Sequence, residues 1–327
     1  MVPAESSPRT VRPAGAGRAV RSVGAARAVH PELRSAVLAW FDAEGRPLAF
    51  RETTDPWAIL VSEAMAQQTQ AARAAQAWRR FLGEFPTVEA LAAASPAAVL
   101  RAWRGLGYNR RALALRRAAV AIVEEHGGQV PDDLDALRRL PGVGPYTARA
   151  VAALAFGRRV GAVDTNVRRV LSRAVGGRLA AFTAAELQAV ADASVPAARP
   201  GHWTHALMDV GATFCRPRAP RCGACPAQRW CLASIAGTAE DPAPRTRRAR
   251  EPGPRPRDLP FRATSRWLRG RLLDALRDAP DAAWAQIDPS MGEHDWPAID
   301  AALAALAREG LAERHPSDAR LARLPTA

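Results

Sequence analysis

From about His30 to Ile235, apolar residues recur three and four apart, and clusters of glycine and proline break the runs. That spacing predicts consecutive short helices, with turns at stretches such as FLGEFPTVEAL, HGGQVPDDL and LPGVGP. No run here alternates convincingly with the two-residue period of a half-buried strand, so the predicted fold class is all-α. Residues 236–260 (AGTAEDPAPRTRRAREPGPRPRDLP) are rich in proline and arginine, the composition of an extended linker. Beyond them, ATSRWLRGRLLDALRDA and WPAIDAALAALAREG return to helical spacing, and GLAERHPSDARLARL offers two short alternating runs around a polar turn. Helices followed by such a hairpin predict a small winged-helix-like domain over 261–327. A helical appendage that binds another protein is the alternative.

One stretch strains this pattern. In WAILVSEAMAQQTQ (57–70), Asp55 and Pro56 predict a capped helix start, with proline at the first helical position. Glu63 then falls between Ile59, Leu60 and Val61 on one side and Ala64, Met65 and Ala66 on the other. A carboxylate against a core is costly to ionise unless something pairs it or a task requires it. Glu63 is therefore either a solvated residue at the helix edge or a functional acid.

Length and charge narrow the choice of partner. The 327 residues leave room for two domains with real cores, and no stretch of about 18 apolar residues is free of charge, so no membrane span is expected. The formal charge is +14, and all 46 basic residues are arginine. A GC-rich genome would account for the missing lysines but not for the sign of the charge. Arginine's planar fork suits phosphate oxygens, which makes nucleic acid the expected partner. Residues 1–30, mainly Ala, Gly, Pro, Ser and Arg with one acid, predict a disordered basic arm able to add phosphate contacts. An organellar transit peptide has a somewhat similar composition, but the arm lacks the apolar core of a signal peptide, and a cytoplasmic location is expected.

Three further motifs carry candidate chemistry. All four cysteines, Cys215, Cys222, Cys225 and Cys231, lie within seventeen residues as C-x6-C-x2-C-x5-C. Their clustering, in a chain with no secretion signal, points to one metal centre rather than two disulfides. Ligand type alone permits zinc or an iron–sulfur cluster. Arg216, Arg218 and Arg221 sit among them and would present charge to a phosphate backbone, which makes the metal structural. In LPGVG, Gly142 and Gly144 permit a turn between helices that exposes N–H groups to a phosphate, or simply a packing corner. In VDTN, Asp164 either caps the following helix or is a carboxylate held ionised at its N-terminus.

Taken in order, LPGVGPYTA, VDTN and the cysteine signature resemble the helix-hairpin-helix DNA glycosylases with a [4Fe–4S] cluster. Within that superfamily, SEAMAQQTQ and RGLGYNRRA resemble the adenine DNA glycosylases of the MutY type, with motifs in register from about Arg46 to Cys231. The resemblance implies hydrolysis of the N-glycosidic bond of adenine mispaired with 8-oxoguanine or guanine in double-stranded DNA. The base would leave the stack to react. Glu63 would protonate the purine at N7, while Asp164 stabilises the oxocarbenium-like sugar. Tyr146 and Asn166 match residues that assist this pair, and Arg51 matches an arginine near the adenine pocket. Gln68 and Tyr108 match residues that wedge the duplex, although Tyr108 also reads as a core aromatic. Gly142, Val143 and Gly144 match the phosphate-binding turn, and the four cysteines match the cluster ligands. Bifunctional relatives carry a Schiff-base lysine where this chain has Tyr146, so the resemblance implies a monofunctional enzyme. It also implies a monomer.

The pattern departs from the family at several points. Residues 261–327 show nothing resembling the Nudix-like domain that reads 8-oxoguanine, and Phe50 and Ala66 replace the usual tryptophan and leucine. VDTN replaces the more usual DGN form. Two rival readings fit the sequence: a thymine or uracil mismatch glycosylase of the same superfamily, and a DNA-binding protein without chemistry. The second has no need of Glu63 and Asp164.

Overall fold

The computed structural model describes residues 27–240 and 260–326, and the first of these spans is helical throughout. Helices α1 (Pro31–Glu44), α2 (Pro56–Ala66), α3 (Ala71–Glu84), α4 (Val88–Ala93), α5 (Pro96–Ala102), α6 (Arg110–His126), α7 (Leu134–Arg139) and α8 (Pro145–Ala155) come first. They lead into α9 (Thr165–Gly176), α10 (Ala184–Ser194), α11 (Pro200–Thr213) and the short α12 (Leu232–Ile235). Local chemistry sets their starts. Asp55 caps α2 by accepting from the Trp57 and Ala58 amides, with Pro56 at the first helical position, and Ser95 and Asp133 cap α5 and α7 in the same way.

Two apolar cores divide this body. Leu60, Met65, Phe81, Trp103, Ile122 and Val151 belong to the core built from α2 to α8. Leu33, Leu171, Leu187, Trp203 and Val210 belong to a second core, in which α1 joins α9, α10 and α11. Glu63 is carried by the first core and Asp164 by the second, so the seam between them brings the two carboxylates together.

The body extends past both expected borders. Val29 is buried and its amide donates to Ser194 Oγ at 3.1 Å, so the end of the expected N-terminal arm is anchored on α10 through Val29. Residues 1–26 lie outside the described part. At the other end Ala239 is buried and Thr238 Oγ1 donates to the Gly177 carbonyl, so the expected linker's first residues belong to the body. In both cases one apolar side chain is buried against the body. Residues 241–259 lie outside the described part.

The C-terminal unit runs α13 (Ser265–Asp278), β1 (Ala285–Gln286), α14 (Trp296–Arg308), β2 (Glu313–Arg314) and β3 (Leu321–Arg323). Its antiparallel sheet has the order β1–β3–β2, with Arg314 opposite Ala322 and Ala285 also opposite Ala322. The hairpin stands where the alternating runs predict it. Strand β1 is two residues long and offers no periodicity to detect. Leu272, Leu276, Ile287, Leu303 and Leu306 fill the unit, and its apolar residues are continuous with those of the α2–α8 core.

A polar joint fixes the unit to α5. Arg277, 8% exposed, donates from Nε to the Leu100 carbonyl at 2.9 Å and from Nη2 to Asn109 Oδ1 at 2.6 Å. Arg101 pairs with Asp281 at 2.8 Å and Arg104 with Asp278 at 2.5 Å. No described helix is long and apolar enough to cross a membrane.

Candidate active site

A cleft of about 1430 Å3 opens along the seam, walled by α2, the loop before α6, the start of α9, α11 and α13. Glu63, Tyr146, Asp164, Asn166, Arg51, Gln68 and Tyr108 all line it, so seven residues spread over more than a hundred positions share one site. The Gly142–Gly144 turn is not among its lining residues.

Glu63 is 7% exposed. Burial pushes its carboxyl up from the ordinary 4.5 to about 7. The neighbouring Tyr146 hydroxyl and the positive charge of Arg51 oppose this, while the negative charge of Asp164 adds to it. Tyr146 is itself pushed well above its ordinary value by burial and by the charges of Glu63 and Asp164, so it remains a neutral hydrogen-bond donor. Its hydroxyl also faces Met208 Sδ at 4.0 Å.

Asp164 is held by different means. It is the N-cap of α9, and its Oδ1 accepts from the Val167 amide at 2.6 Å while Oδ2 accepts from Asn166 Nδ2 at 2.9 Å. Its carboxylate thus lies at the positive end of a helix, bonded to two donors. The capping alternative is realised, and the same carboxylate lines the cleft. The Asn166 amide is itself fixed, because Arg169 Nη2 donates to Asn166 Oδ1 at 2.8 Å and to the Gly211 carbonyl at 2.7 Å. Arg169 Nε reaches the Cys215 carbonyl, which ties the Asp164 network to the cysteine loop.

Gln68 and Tyr108 share an uncommon backbone. Both lie in the left-handed region, at φ 56° and 45°, where a side chain is disfavoured. Both line the cleft, and Tyr108 is 50% exposed, which removes its reading as a core aromatic. At the hairpin, Gly142 has φ 80° and a Cβ there would meet Ala114 Cβ at 2.8 Å, so glycine is required on two counts. Gly144 is the N-cap of α8 with open space around it, where a phosphate has room to approach the helix amides.

The cysteine loop follows α11 and packs on the second core through Cys215, Cys225 and Cys231. Burial raises the thiols of Cys222, Cys225 and Cys231, with Cys225 pushed up to about 12, and the cysteines raise one another. Arg173, 2% exposed, donates to Cys215 Sγ at 3.4 Å and to the Arg216 carbonyl at 2.7 Å. Its Nε and Nη2 have no partner among the described residues. Among those residues no three His, Cys, Asp or Glu side chains stand close enough to hold a single metal ion. Arg216, Arg218 and Arg221 are exposed on the same loop.

Comparison with known proteins fixes the family. Residues 61–181 match the HhH-GPD superfamily of base excision DNA repair proteins. The chain is 43% identical over 272 residues to an adenine DNA glycosylase of Mycobacterium tuberculosis, covering 76% of this chain and 82% of that protein. Over 299 residues it is 42% identical to the adenine DNA glycosylase of Mycolicibacterium smegmatis, covering 88% of this chain and 94% of the relative. The chain belongs to the adenine DNA glycosylases. Among solved structures it resembles a thermostable thymine-DNA glycosylase, with a TM-score of 0.59 and 30% identity over 62% of this chain and 95% of the other. An endonuclease III–DNA complex, at TM-score 0.54 and 24% identity over 63% and 95% of the two chains, shares the fold.

For an adenine DNA glycosylase, sequence reasoning missed two groups on α11, Asp209 behind the cleft wall and His205 on it. Asp209, fully buried on α11, receives both guanidinium nitrogens of Arg51 at 2.8 Å and Nε of Arg46 at 2.7 Å. Burial alone would raise its carboxyl, but hydrogen bonds from Arg51 and Arg46 outweigh this and hold it below the usual value. Asp209 thus fixes the Arg51 guanidinium in the cleft wall, where its charge acts on Glu63. His205, one turn earlier and lining the cleft, is held down to about 3 by burial and the charge of Arg51, so its imidazole stays neutral. The signal for Asp209 was an acid inside the apolar run HALMDVGA, the same signature that marks Glu63. The departures Phe50 and Ala66 also line the cleft, and Phe50 packs edge-on against Trp78 at 6.4 Å.

Proposed function

We propose that the protein removes adenine paired with 8-oxoguanine or guanine, acting as a monofunctional glycosylase that leaves an abasic site. The observation that carries this reading is the pairing of Glu63, raised to about 7, with a helix-capping Asp164 in one cleft. One group is poised to give up a proton near neutral pH and the other to hold negative charge, the division of labour that glycosidic bond cleavage needs. In this scheme the adenine is extruded into the cleft and Gln68 and Tyr108 enter the space beside it. Glu63 gives its proton to N7 of the leaving purine. Asp164 stabilises the positive charge that grows on the sugar as the bond to C1′ breaks, and water completes the sugar. Tyr146 holds the Glu63 carboxyl in place, and Asn166 does the same for Asp164. The monofunctional outcome is supported by Tyr146 at the position of the lysine nucleophile and by a chain without lysine.

The four cysteines suit a [4Fe–4S] cluster. They supply thiol ligands alone and sit beside a buried Arg173 with unpartnered nitrogens that suit an anionic group. When bound, such a cluster would stiffen the loop that presents Arg216, Arg218 and Arg221 to DNA. The reading includes a monomer working on chromosomal DNA in the cytoplasm.

Single-turnover assays on end-labelled duplexes carrying A·8-oxoG, A·G, A·C, T·G and U·G, with and without alkali, test the proposal. Breaks at adenine that appear only after alkali are expected. Breaks at T·G or U·G would move the protein to the pyrimidine branch, and breaks without alkali would refute the monofunctional outcome. Iron analysis with visible absorption tests the cluster, and a zinc-only protein would refute it.

A further inference from the structure

Tyr108 lies where the body meets the C-terminal unit. Its backbone is strained, because Tyr108 lies in the left-handed region after a turn in which Gly105 and Gly107 take the same sign of φ at no cost. Such a conformation persists only when neighbours over-determine it. The neighbours come from both sides. Arg111 lies 5.4 Å from the Tyr108 ring centroid, and its Nη1 is anchored on the carbonyls of Ala64 and Gln67 at 2.7 and 2.5 Å. From the C-terminal unit, Arg266 lies 5.8 Å from the same centroid, and its Nη2 donates to the Tyr108 hydroxyl at 3.2 Å. The next residue of the loop, Asn109, accepts from Arg277 of that unit. Arg266 sits in the first turn of α13 and is exposed, so nothing in the folding of the unit demands it.

We propose that Arg266 is a positioning residue: it holds the Tyr108 ring at the rim of the cleft, so that insertion of Tyr108 beside the mispair depends on the docked C-terminal unit. The proposal rests on the reading of Tyr108 as the residue that enters the duplex. A guanidinium at this place has two possible uses, to stack on the ring or to meet a DNA phosphate. The ring stacking and the hydroxyl contact, made together by one side chain, favour the first.

The test uses the full-length, iron-replete protein as Arg266→Ala, Arg266→Lys, Tyr108→Ala and the Arg266→Ala/Tyr108→Ala pair. Three quantities are read: single-turnover excision from A·G, fluorescence of a 2-aminopurine placed beside the mispair on binding, and the salt dependence of affinity. Arg266→Ala should lower both the excision rate and the fluorescence rise by about two- to fivefold, the scale of an exposed cation–π contact. It should add nothing in the Tyr108→Ala background and leave the salt slope unchanged. Arg266→Lys should recover only part of the loss, because an ammonium keeps the charge without the planar stack. A salt slope reduced by about one, with a loss that persists in the Tyr108→Ala background, would make Arg266 a phosphate contact and overturn the proposal. Arg266→Ala indistinguishable from the parent would overturn it as well. If the parent binds DNA but excises nothing, the functional reading fails, and the fluorescence arm still decides the role of Arg266.

Discussion

The two walls of the cleft solve one electrostatic problem in opposite ways. On the α2 wall, Glu63 sits mid-helix among Leu60, Val61 and Met65, where the cost of removing charge from water favours the neutral carboxyl. On the α9 wall, Asp164 sits at a helix start with two hydrogen-bond donors on its oxygens. In the proposed mechanism the same functional group thus serves as proton donor on one side and as stabiliser of the sugar's positive charge on the other. Position within a helix, rather than residue type, sets the roles: a carboxylate in a helix interior loses water, while one at the N-cap gains amides.

The comparison breaks most easily at Glu63. Glu63→Gln keeps size and polarity but cannot give up a proton, so excision should fall at least about a hundredfold, the low end of general-acid catalysis. Affinity for an A·G duplex should stay close to that of the parent. Retained turnover would take the acid role from the α2 wall. Asp164→Asn is the matching change on the other wall. Asparagine is as good an N-cap as aspartate, so the melting temperature should hold while turnover falls by about a hundredfold or more. A large drop in melting temperature with turnover per folded molecule intact would leave Asp164 as a cap alone.

The pH dependence sharpens the contrast. With its carboxyl raised to about 7, Glu63 loses its proton through that range, and the single-turnover rate should fall as pH rises past about 7. Stability follows the same group. Between 4.5 and about 7 the folded state holds a proton that the unfolded chain has released, so stability declines as pH rises through this window. Up to roughly 3 kcal/mol is at stake for a shift of this size. Glu63→Gln should remove that decline, and urea unfolding from pH 5 to 8 measures it. An unchanged slope in the variant would mean that some other group carries the proton.

Much of this site was legible before the fold was known, and the limits are physical. Glu63 stood out because α2 is apolar on nearly every face, so an acid within it breaks a strong pattern. Asp164 and Tyr146 lay inside short motifs whose order carried the family resemblance. Asp209 has the same local signature as Glu63, but what makes it part of the site is its pairing with Arg46 and Arg51, more than 150 positions away. No periodicity encodes that distance. The docking of the C-terminal unit was hidden for the same reason: Arg101, Arg104 and Arg277 read as ordinary surface charge until their partners across the joint are seen. Only the dihedral angles of Gln68 and Tyr108 reveal their strain, since neither residue type announces a left-handed backbone.

Asp209 offers the finest test of the two walls, because it acts on Glu63 without touching it. Its carboxylate holds Arg51 by two hydrogen bonds of 2.8 Å and absorbs part of that residue's charge. Asp209→Asn keeps a polar side chain of the same shape but leaves Arg46 and Arg51 without a counter-charge. Breaking a buried pair in this way should cost about 3 kcal/mol of stability. Burial would raise the Asp209 carboxyl, yet Arg51 and Arg46 hold it low, so its contribution is present above the ordinary aspartate range and is lost as pH falls through its lowered value. The released charge of Arg51 already opposes the protonation of Glu63 and would do so more strongly without Asp209. The limb of the pH–rate profile near 7 should therefore move to lower pH in Asp209→Asn, while the response to Asp164→Asn stays as in the parent. A limb that stays in place despite the loss of stability would show that burial alone sets the acidity of Glu63, and that the arginine pair serves only to join α11 to the segment before α2.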